Sequence, residues 1–537
     1  MAKKITAIIL TVALVFSAAF CIPSSAATEV TSQFERGFYR FVDGLLDALV
    51  NGISALIVEP RDWVSKDKYV SENFYEGMEP EEFISTPAAD AKWSVGYANA
   101  SIKTGKELEE GHYVGGSLAI GDKFATEIRD DQKVRTIAVS DGRGITIFCA
   151  IDTYGMSSAD VRGIRAAFEE EIASRNLDIN AVNISALHQH SCVDTFGLNG
   201  NLINALFTSS VRNLLGLELP NGQNKEFMAN LYKVTVKSMV DAIDDMKEGE
   251  LYFGTADATN FIYDKRSPKV YDTNLNRLRF VPDDGSEETW LLNAPIHCVG
   301  NGAGGTLITG DYPYYMEKYI NETAKANVFY VLGAELAMTA EHDYLPPVDT
   351  ESEVYKEYND EGYARLALFG EELAKLACSI ENDERLAPIF NIRLAEVFVP
   401  VDNSILKLAA KGGLLTNEIV KNKGNYEVLT EVGYCEFGND IAVSIMPGEL
   451  APEIAYGGVH TAEEAWDGDE WGYSSFADAS EGKTLLVFGI TNDQIGYLLP
   501  SNEWHSYLTE NEEIVSTGRM AGAYIAEAYL LLFDEVC

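Results

Sequence analysis

The chain has 537 residues, 46% hydrophobic and 23% charged, a balance that excludes disordered and collagen-like classes. At ~150 residues per domain the length allows about three units, or one large layered domain. Against 83 acids stand only 41 lysines and arginines, a net charge of −42, and so negative a surface argues against nucleic acid as a partner.

Lys3 and Lys4 precede an apolar run from Ile5 to about Ile22, and Pro23-Ser24-Ser25-Ala26-Ala27 follows it. A positive start, an apolar stretch and a small-residue end predict a secretory signal peptide over 1–27 and a secreted or extracytoplasmic protein. A retained membrane anchor is the alternative. Phe20 is too bulky for the cleavage context that would make Cys21 a lipoprotein cysteine. No second apolar run of ~18 residues follows, so the rest is expected to be soluble. Losing the peptide removes two lysines and no acids, leaving −44. The remaining cysteines, Cys149, Cys192, Cys298, Cys378, Cys435 and Cys537, are far apart and form no CxxC pair. This is not a disulfide scaffold.

Residues 31–58 predict an amphipathic helix. Phe34, Phe38, Phe41, Leu45, Leu49, Ile53 and Leu56 recur at three- and four-residue spacing, although Gly37, Gly44 and Gly52 weaken it. Such a stripe lies on a membrane surface or packs on the body of the protein. Glu35, Asp43 and Asp47 stand where an interfacial helix usually carries lysines, which favours packing on the body. From Trp93 strands and helices alternate. Arg135–Ser140 and Ile145–Ile151 read as strands paired around Asp141-Gly142-Arg143-Gly144. Ser157-Ser158-Ala159-Asp160 opens a helix reaching about Arg175. Val182–Leu187, Trp290–Ile296, Val328–Leu332, Ile441–Ile445 and Leu485–Ile490 read as further strands. The pattern predicts a layered α/β fold with a large mixed sheet.

Of the seven histidines, three lie where strand-like runs end: His188 and His190 after Asn183–Leu187, and His297 after Leu291–Ile296. Ligands collect at the carboxyl ends of strands in open α/β sheets. In an extended segment i and i+2 share a side, so His188 and His190 can face one site, one as a metal ligand and the other binding substrate or moving a proton. Taken alone, a His-x-His pair is more often incidental. Met446-Pro447-Gly448-Glu449 follows Ile441–Ile445, and its turn can deliver Glu449 to the same place. An acid at a helix N-terminus is the competing reading. Tyr497, after Thr491–Gly496, can bind metal or steady an oxyanion, or simply be half buried. Two histidines, one glutamate and an open position are the donor types of a catalytic zinc, suited to amide or ester hydrolysis.

The same residues carry a resemblance. Trp93–Ile102 (WSVGYANASI) resembles the opening "VGxGxADIT" strand of the neutral/alkaline non-lysosomal ceramidases. Asn183–Ser191 (NISALHQHS) resembles their "LSATHTHSGPGG". Ala294–Cys298 with Thr309–Pro313 resembles "xVHPT … SxD", Met446–Glu449 resembles "LPGE", and Asn492–Tyr497 resembles the later Asn-to-Tyr segment. The motifs keep the family order over about residues 90–530. The resemblance implies a secreted zinc amidohydrolase that cleaves ceramide to fatty acid and sphingosine. His188, His297, Glu449 and Tyr497 match the zinc ligands, and His190 and Tyr497 the catalytic positions. The implied organisation is a signal peptide (1–27), a helical leader (28–90) and one catalytic domain (91–537). The implied partner is a small-molecule or lipid substrate, with peripheral membrane contact and an undetermined oligomeric state.

Departures from the family leave two other readings open: a hydrolase of the same fold acting on another N-acyl or ester substrate, and a binding protein that keeps the fold without activity. "SGPGG" is replaced by Ser191-Cys192-Val193-Asp194-Thr195. The family's "QSNxGD" segment falls on Leu332–Ala337, with Gly333 where some members carry a serine, and Glu341-His342-Asp343 lies nearby. The family's C-terminal β-sandwich is expected to be missing. Cys192 and Cys298 each neighbour a candidate histidine, which predicts that their thiols are close enough for a disulfide. A soft metal ligand at Cys192 is the lesser alternative.

Overall fold

The computed structural model describes residues 33–61, 63–116, 123–200, 202–217, 222–300, 302, 305–480, 482–507, 509 and 513–537, with only the backbone of Gln33 and Ile203. The expected signal peptide lies outside the described residues. Helix α1 (Gln33–Ser54) comes first. Residues 63–90 then run irregularly over the body with two single 3-10 turns, Lys66–Lys68 and Pro80–Glu82.

One large sheet follows. Its strands are β1 (Trp93–Ser101), β2 (Lys133–Ser140), β3 (Ile145–Ile151), β4 (Ile179–Ala186), β5 (Lys247–Asp257), β6 (Asn274–Pro282), β7 (Glu288–Ala294) and β8 (Ala326–Leu332). They lie in the order β8-β7-β6-β5-β1-β2-β3-β4, and Glu384–Arg385 pairs beside β5. The two ends, β8 with β7 and β3 with β4, are parallel pairs, and the centre is antiparallel. A second sheet holds β9 (Phe390–Pro400), β10 (Asn425–Phe437), β11 (Ile441–Ile445) and β12 (Thr484–Phe488), with β11 parallel to β12.

Alternation within the strands explains the layers. On β3, Ile147, Cys149 and Ile151 face α2 (Ser158–Ile172) and α4 (Lys225–Asp244), meeting Val161, Ile164, Phe168, Leu231 and Met239. Phe148 and Ala150 face the other way, toward Ile441, Val443, Ile445 and Phe488 of the second sheet. The far face of that sheet, with Tyr434, Ala442 and Val487, is covered by α7 (Ala521–Val536) through Ile525 and Tyr529. Two mixed sheets therefore pack face to face between outer helices, as the alternating pattern predicts, and neither sheet closes into a barrel. Where the second sheet does not reach, α5 (Asp311–Thr323) and α6 (Glu361–Cys378) cover the β7–β8 end.

The layers are tied together by buried charge. Arg165 on α2 donates from both terminal nitrogens to Glu431 on β10 at 2.8 and 2.9 Å. Arg135 on β2 bridges Asp152 at 2.8 Å and Glu317 on α5 at 2.5 Å. Ser157 caps α2 by accepting from the Asp160 amide at 3.1 Å.

Candidate metal centre

Five strand ends converge. His188 stands two residues after β4, His297 three after β7, Glu335 three after β8 and Glu449 four after β11, and Gln494 and Tyr497 follow β12. The turn after β12 is joined to the end of β4, where the Ala186 amide donates to the Ile490 carbonyl and the Asn492 amide to the Ile184 carbonyl. Ile490 (φ +46), Asn492 (φ +68) and His188 (φ +50) all lie in the left-handed region. A β-branched residue there is strained, and such strain gathers at functional sites.

The His188, His190 and His297 rings form a triangle, with centroids 4.7, 4.8 and 5.5 Å apart. Gln189 points away from it, donating to Asp152 at 3.1 Å and to the Gly310 carbonyl at 2.8 Å. Gly116 (φ +98) lets its loop cross directly under His190, because a Cβ there would lie 2.2 Å from the His190 Cα. Asp194 organises the next turn by accepting from the amides of Phe196, Gly197 and Asn199 at 2.9–3.0 Å.

The hydrogen bonds fix which nitrogen each histidine presents. His188 Nδ1 donates to the Tyr154 carbonyl at 2.8 Å, and the Tyr154 ring stacks on the imidazole at 4.4 Å. His297 Nδ1 donates to the Glu335 carbonyl at 3.1 Å. Both histidines therefore turn a lone pair on Nε2 inward, the tautomer a metal ligand needs. Gln494 donates to Glu449 Oε1 at 2.9 Å, leaving Oε2 to face His188 Nε2 at 3.4 Å and His297 Nε2 at 3.3 Å. A tetrahedral ion with bonds of ~2.0–2.1 Å spaces its donors by ~3.4 Å. His188 Nε2 and Glu449 Oε2 have no hydrogen-bond partner among the described residues, and buried polar atoms rarely stay so. The donor set fits a divalent metal.

The same groups interact strongly when His188 and His297 carry a second proton instead. Burial would raise Glu449, but the neighbouring His188 and His297 hold it well below the ordinary carboxylate range. Burial, with Glu449 beside it, drives Glu335 well above that range. His190 is pushed far below the usual histidine value by burial and then by the charges of His188 and His297. Tyr497 is buried and pairs with Glu449 in parallel register, one strand over.

Other expected groups lie elsewhere. His342 packs on the Phe369 ring at 5.0 Å, outside the cluster. The predicted disulfide is not formed, and Cys192 and Cys298 are free buried thiols. Their segments do touch, because the His190 amide donates to the Cys298 carbonyl at 3.1 Å. The Cys192 Sγ instead donates to the Gln189 carbonyl at 3.1 Å, which also turns it away from the donor cluster. Glu335, Gln494 and Tyr154 were not anticipated. For Glu335 the signal existed: it follows a strand as closely as His297 does.

A groove lined by Phe196, Leu198, Leu406, Leu415, Ile495 and Val515 runs to Glu449. Beside it, α1 and α3 (Leu202–Leu215) share a small core with helix Ser404–Gly412, through Val50, Ile53, Leu206, Ile405 and Leu408. The front of α1 is tied to the body by Arg36 and Tyr39 against Trp466 and by Arg40 on Asp467, but its apolar stripe meets no such cover. Phe34 is 84% exposed and Phe41 64%, and Phe38, Leu45, Val211, Leu214 and Leu215 are also exposed. Among the described residues no helix is long and apolar enough to cross a membrane.

No family model and no curated protein matches the chain. Solved structures do. The neutral ceramidase from Pseudomonas aeruginosa is 14% identical and superposes with a TM-score of 0.57, over 83% of this chain and 74% of that one. A ceramidase complexed with C2 is 15% identical, with a TM-score of 0.54 over 83% and 75%. The chain has the ceramidase fold.

Proposed function

We propose that this chain is a secreted, zinc-dependent amidohydrolase that cleaves an N-acyl amide of the ceramide type into a fatty acid and an amine such as sphingosine. One observation carries the reading: two Nε2 lone pairs, each oriented by a hydrogen bond at Nδ1, lie 3.3–3.4 Å from one shared carboxylate oxygen, the spacing of donors on a tetrahedral ion. His188, His297 and Glu449 would hold the zinc, with Tyr497 at the neighbouring register completing the set. When bound, zinc supplies a Lewis acid and lowers the pKa of water toward ~7.

The remaining steps belong to side chains. His190, at the third corner of the triangle, accepts the proton of the attacking water and returns it to the departing amine. Where Tyr497 is not itself a ligand, its hydroxyl steadies the carbonyl oxygen as charge develops on it. The apolar groove takes the acyl chain with the amide at its Glu449 end. A lipid surface fits the exposed face of α1 and α3. α3 carries no acid, while α1 carries Glu35, Asp43 and Asp47 against Arg36 and Arg40, so this face is spared the negative excess of the chain. Helix Ser404–Gly412 and the residues after it connect that face to the groove through Leu406 and Leu415.

The test is zinc analysis with turnover on a panel of N-acyl substrates, ceramide included. About one zinc per chain and ceramide cleavage are expected. Less than ~0.2 zinc per chain removes the enzyme reading. Zinc with turnover only on other N-acyl or ester substrates reassigns the specificity.

A further inference from the structure

Glu335 has no place in the mechanism above, yet it sits in the cluster. It is fully buried, and neither of its carboxylate oxygens has a hydrogen-bond partner among the described residues. A donor atom of Glu335 lies within 4.8 Å of donor atoms on His297 and Glu449. Its Oε2 is 3.7 Å from His297 Nδ1, but that nitrogen is already committed to the Glu335 carbonyl at 3.1 Å. Burying a carboxylate without donors is costly, and placing a second one beside Glu449 more so. A bound cation answers both needs.

We propose that Glu335 is an additional donor to the metal at His188, His297 and Glu449, giving one divalent ion two carboxylates. The inference rests on reading that trio as a metal site. Two carboxylates neutralise a divalent ion, which lowers the cost of holding it in a dry interior. An added oxygen donor also makes the site more hospitable to harder ions such as Mn²⁺ than a site with a single carboxylate. Gly333 has little room for a side chain, since a Cβ there would lie 3.1 Å from Pro295, and Glu335 two residues on supplies the group.

The experiment compares the full-length wild type with E335Q. Zinc affinity is measured by chelator competition, and thermal unfolding is followed with and without zinc. E335Q should bind zinc ~10–100-fold more weakly, and its zinc-induced rise in Tm should shrink. Metal-free E335Q should unfold at the same temperature as metal-free wild type or higher, because an uncompensated buried carboxylate is gone. A purely structural Glu335 would lower the metal-free Tm instead. Should E335Q fail to fold, E335L fills the volume without a polar group and carries the same expectation. Wild type that binds zinc no better than folded E335Q overturns the inference and leaves the trio standing. Wild type that binds no zinc overturns both.

Discussion

The strand-end cluster and the α1–α3 face break the usual rule of burial in opposite directions. At the first, His188, Glu335 and Glu449 keep polar atoms inside without hydrogen-bond partners. At the second, Phe34, Phe38 and Phe41 stand in solvent. Arg165, by contrast, is fully buried but bonded in pairs to Glu431. Neither exception serves folding. An orphaned polar interior calls for a cation, and a bare apolar exterior calls for an apolar surface. Helix Ser404–Gly412 lies between them. Under the proposed function the first would do the chemistry and the second would reach the substrate, and each can be broken separately.

The largest effect is expected at the cluster. His297→Ala should abolish zinc binding and lower kcat/KM by at least ~10³-fold, read by metal analysis and by turnover of a soluble short-chain amide. Retained turnover would remove His297 from the site. His190→Ala sharpens the assignment. It should keep the metal while losing ~10²–10⁴-fold in kcat, the scale of a lost acid–base group. Loss of zinc with the activity would make His190 a ligand instead.

The face should respond only when the substrate sits in a bilayer. Replacing Phe34, Phe38 and Phe41 with serine should weaken vesicle binding at least ~10–100-fold, about 1.4–2.8 kcal/mol in all, the total expected when the three rings insert only in part, since one fully buried Phe alone contributes ~1.5–3 kcal/mol. Hydrolysis of a soluble substrate should be unchanged. Equal losses on both substrates would mean that the face supports the fold.

The smallest effect concerns how α1 is held. Asp43 accepts from the Ser506 hydroxyl at 2.8 Å, and burial, opposed by that bond and by the Tyr507 amide, raises its pKa to about 6. A raised carboxylate favours the docked helix while protonated. That contribution is full below the ordinary aspartate value of 3.8 and is lost as pH rises through about 6. Hydrogen exchange of α1 amides, corrected for intrinsic rates, should therefore show weaker protection at pH 7 than at pH 5. Asp43→Asn should flatten the difference, and an unchanged slope in that variant would place the titration elsewhere.

Much of the fold was legible because strands repeat every two residues. The run Ile441–Ile445 has the bounds predicted, and the Ile145–Ile151 hairpin pairs as expected. The strand-end rule also put His188, His190, His297 and Glu449 in one neighbourhood, since residues just past strand ends inherit the order of the sheet. Glu335 obeys the same rule and was overlooked because a lone acid near a glycine gives no spacing signal. Periodicity showed that α1 has an apolar face but could not show what the face meets. Acids between the stripe residues favoured packing on the body, yet the front half of the stripe is exposed while Val50 and Ile53 at its end are buried. The disulfide failed on direction: backbone adjacency was right, but the Cys192 side chain is engaged by Gln189.

The most direct test of the whole account is an anomalous difference map from crystals of the full chain, collected on both sides of the zinc absorption edge. The account predicts a single strong peak ~2.0–2.2 Å from His188 Nε2, His297 Nε2 and Glu449 Oε2. An active enzyme with no peak there, or with its metal at a different cluster, would contradict it.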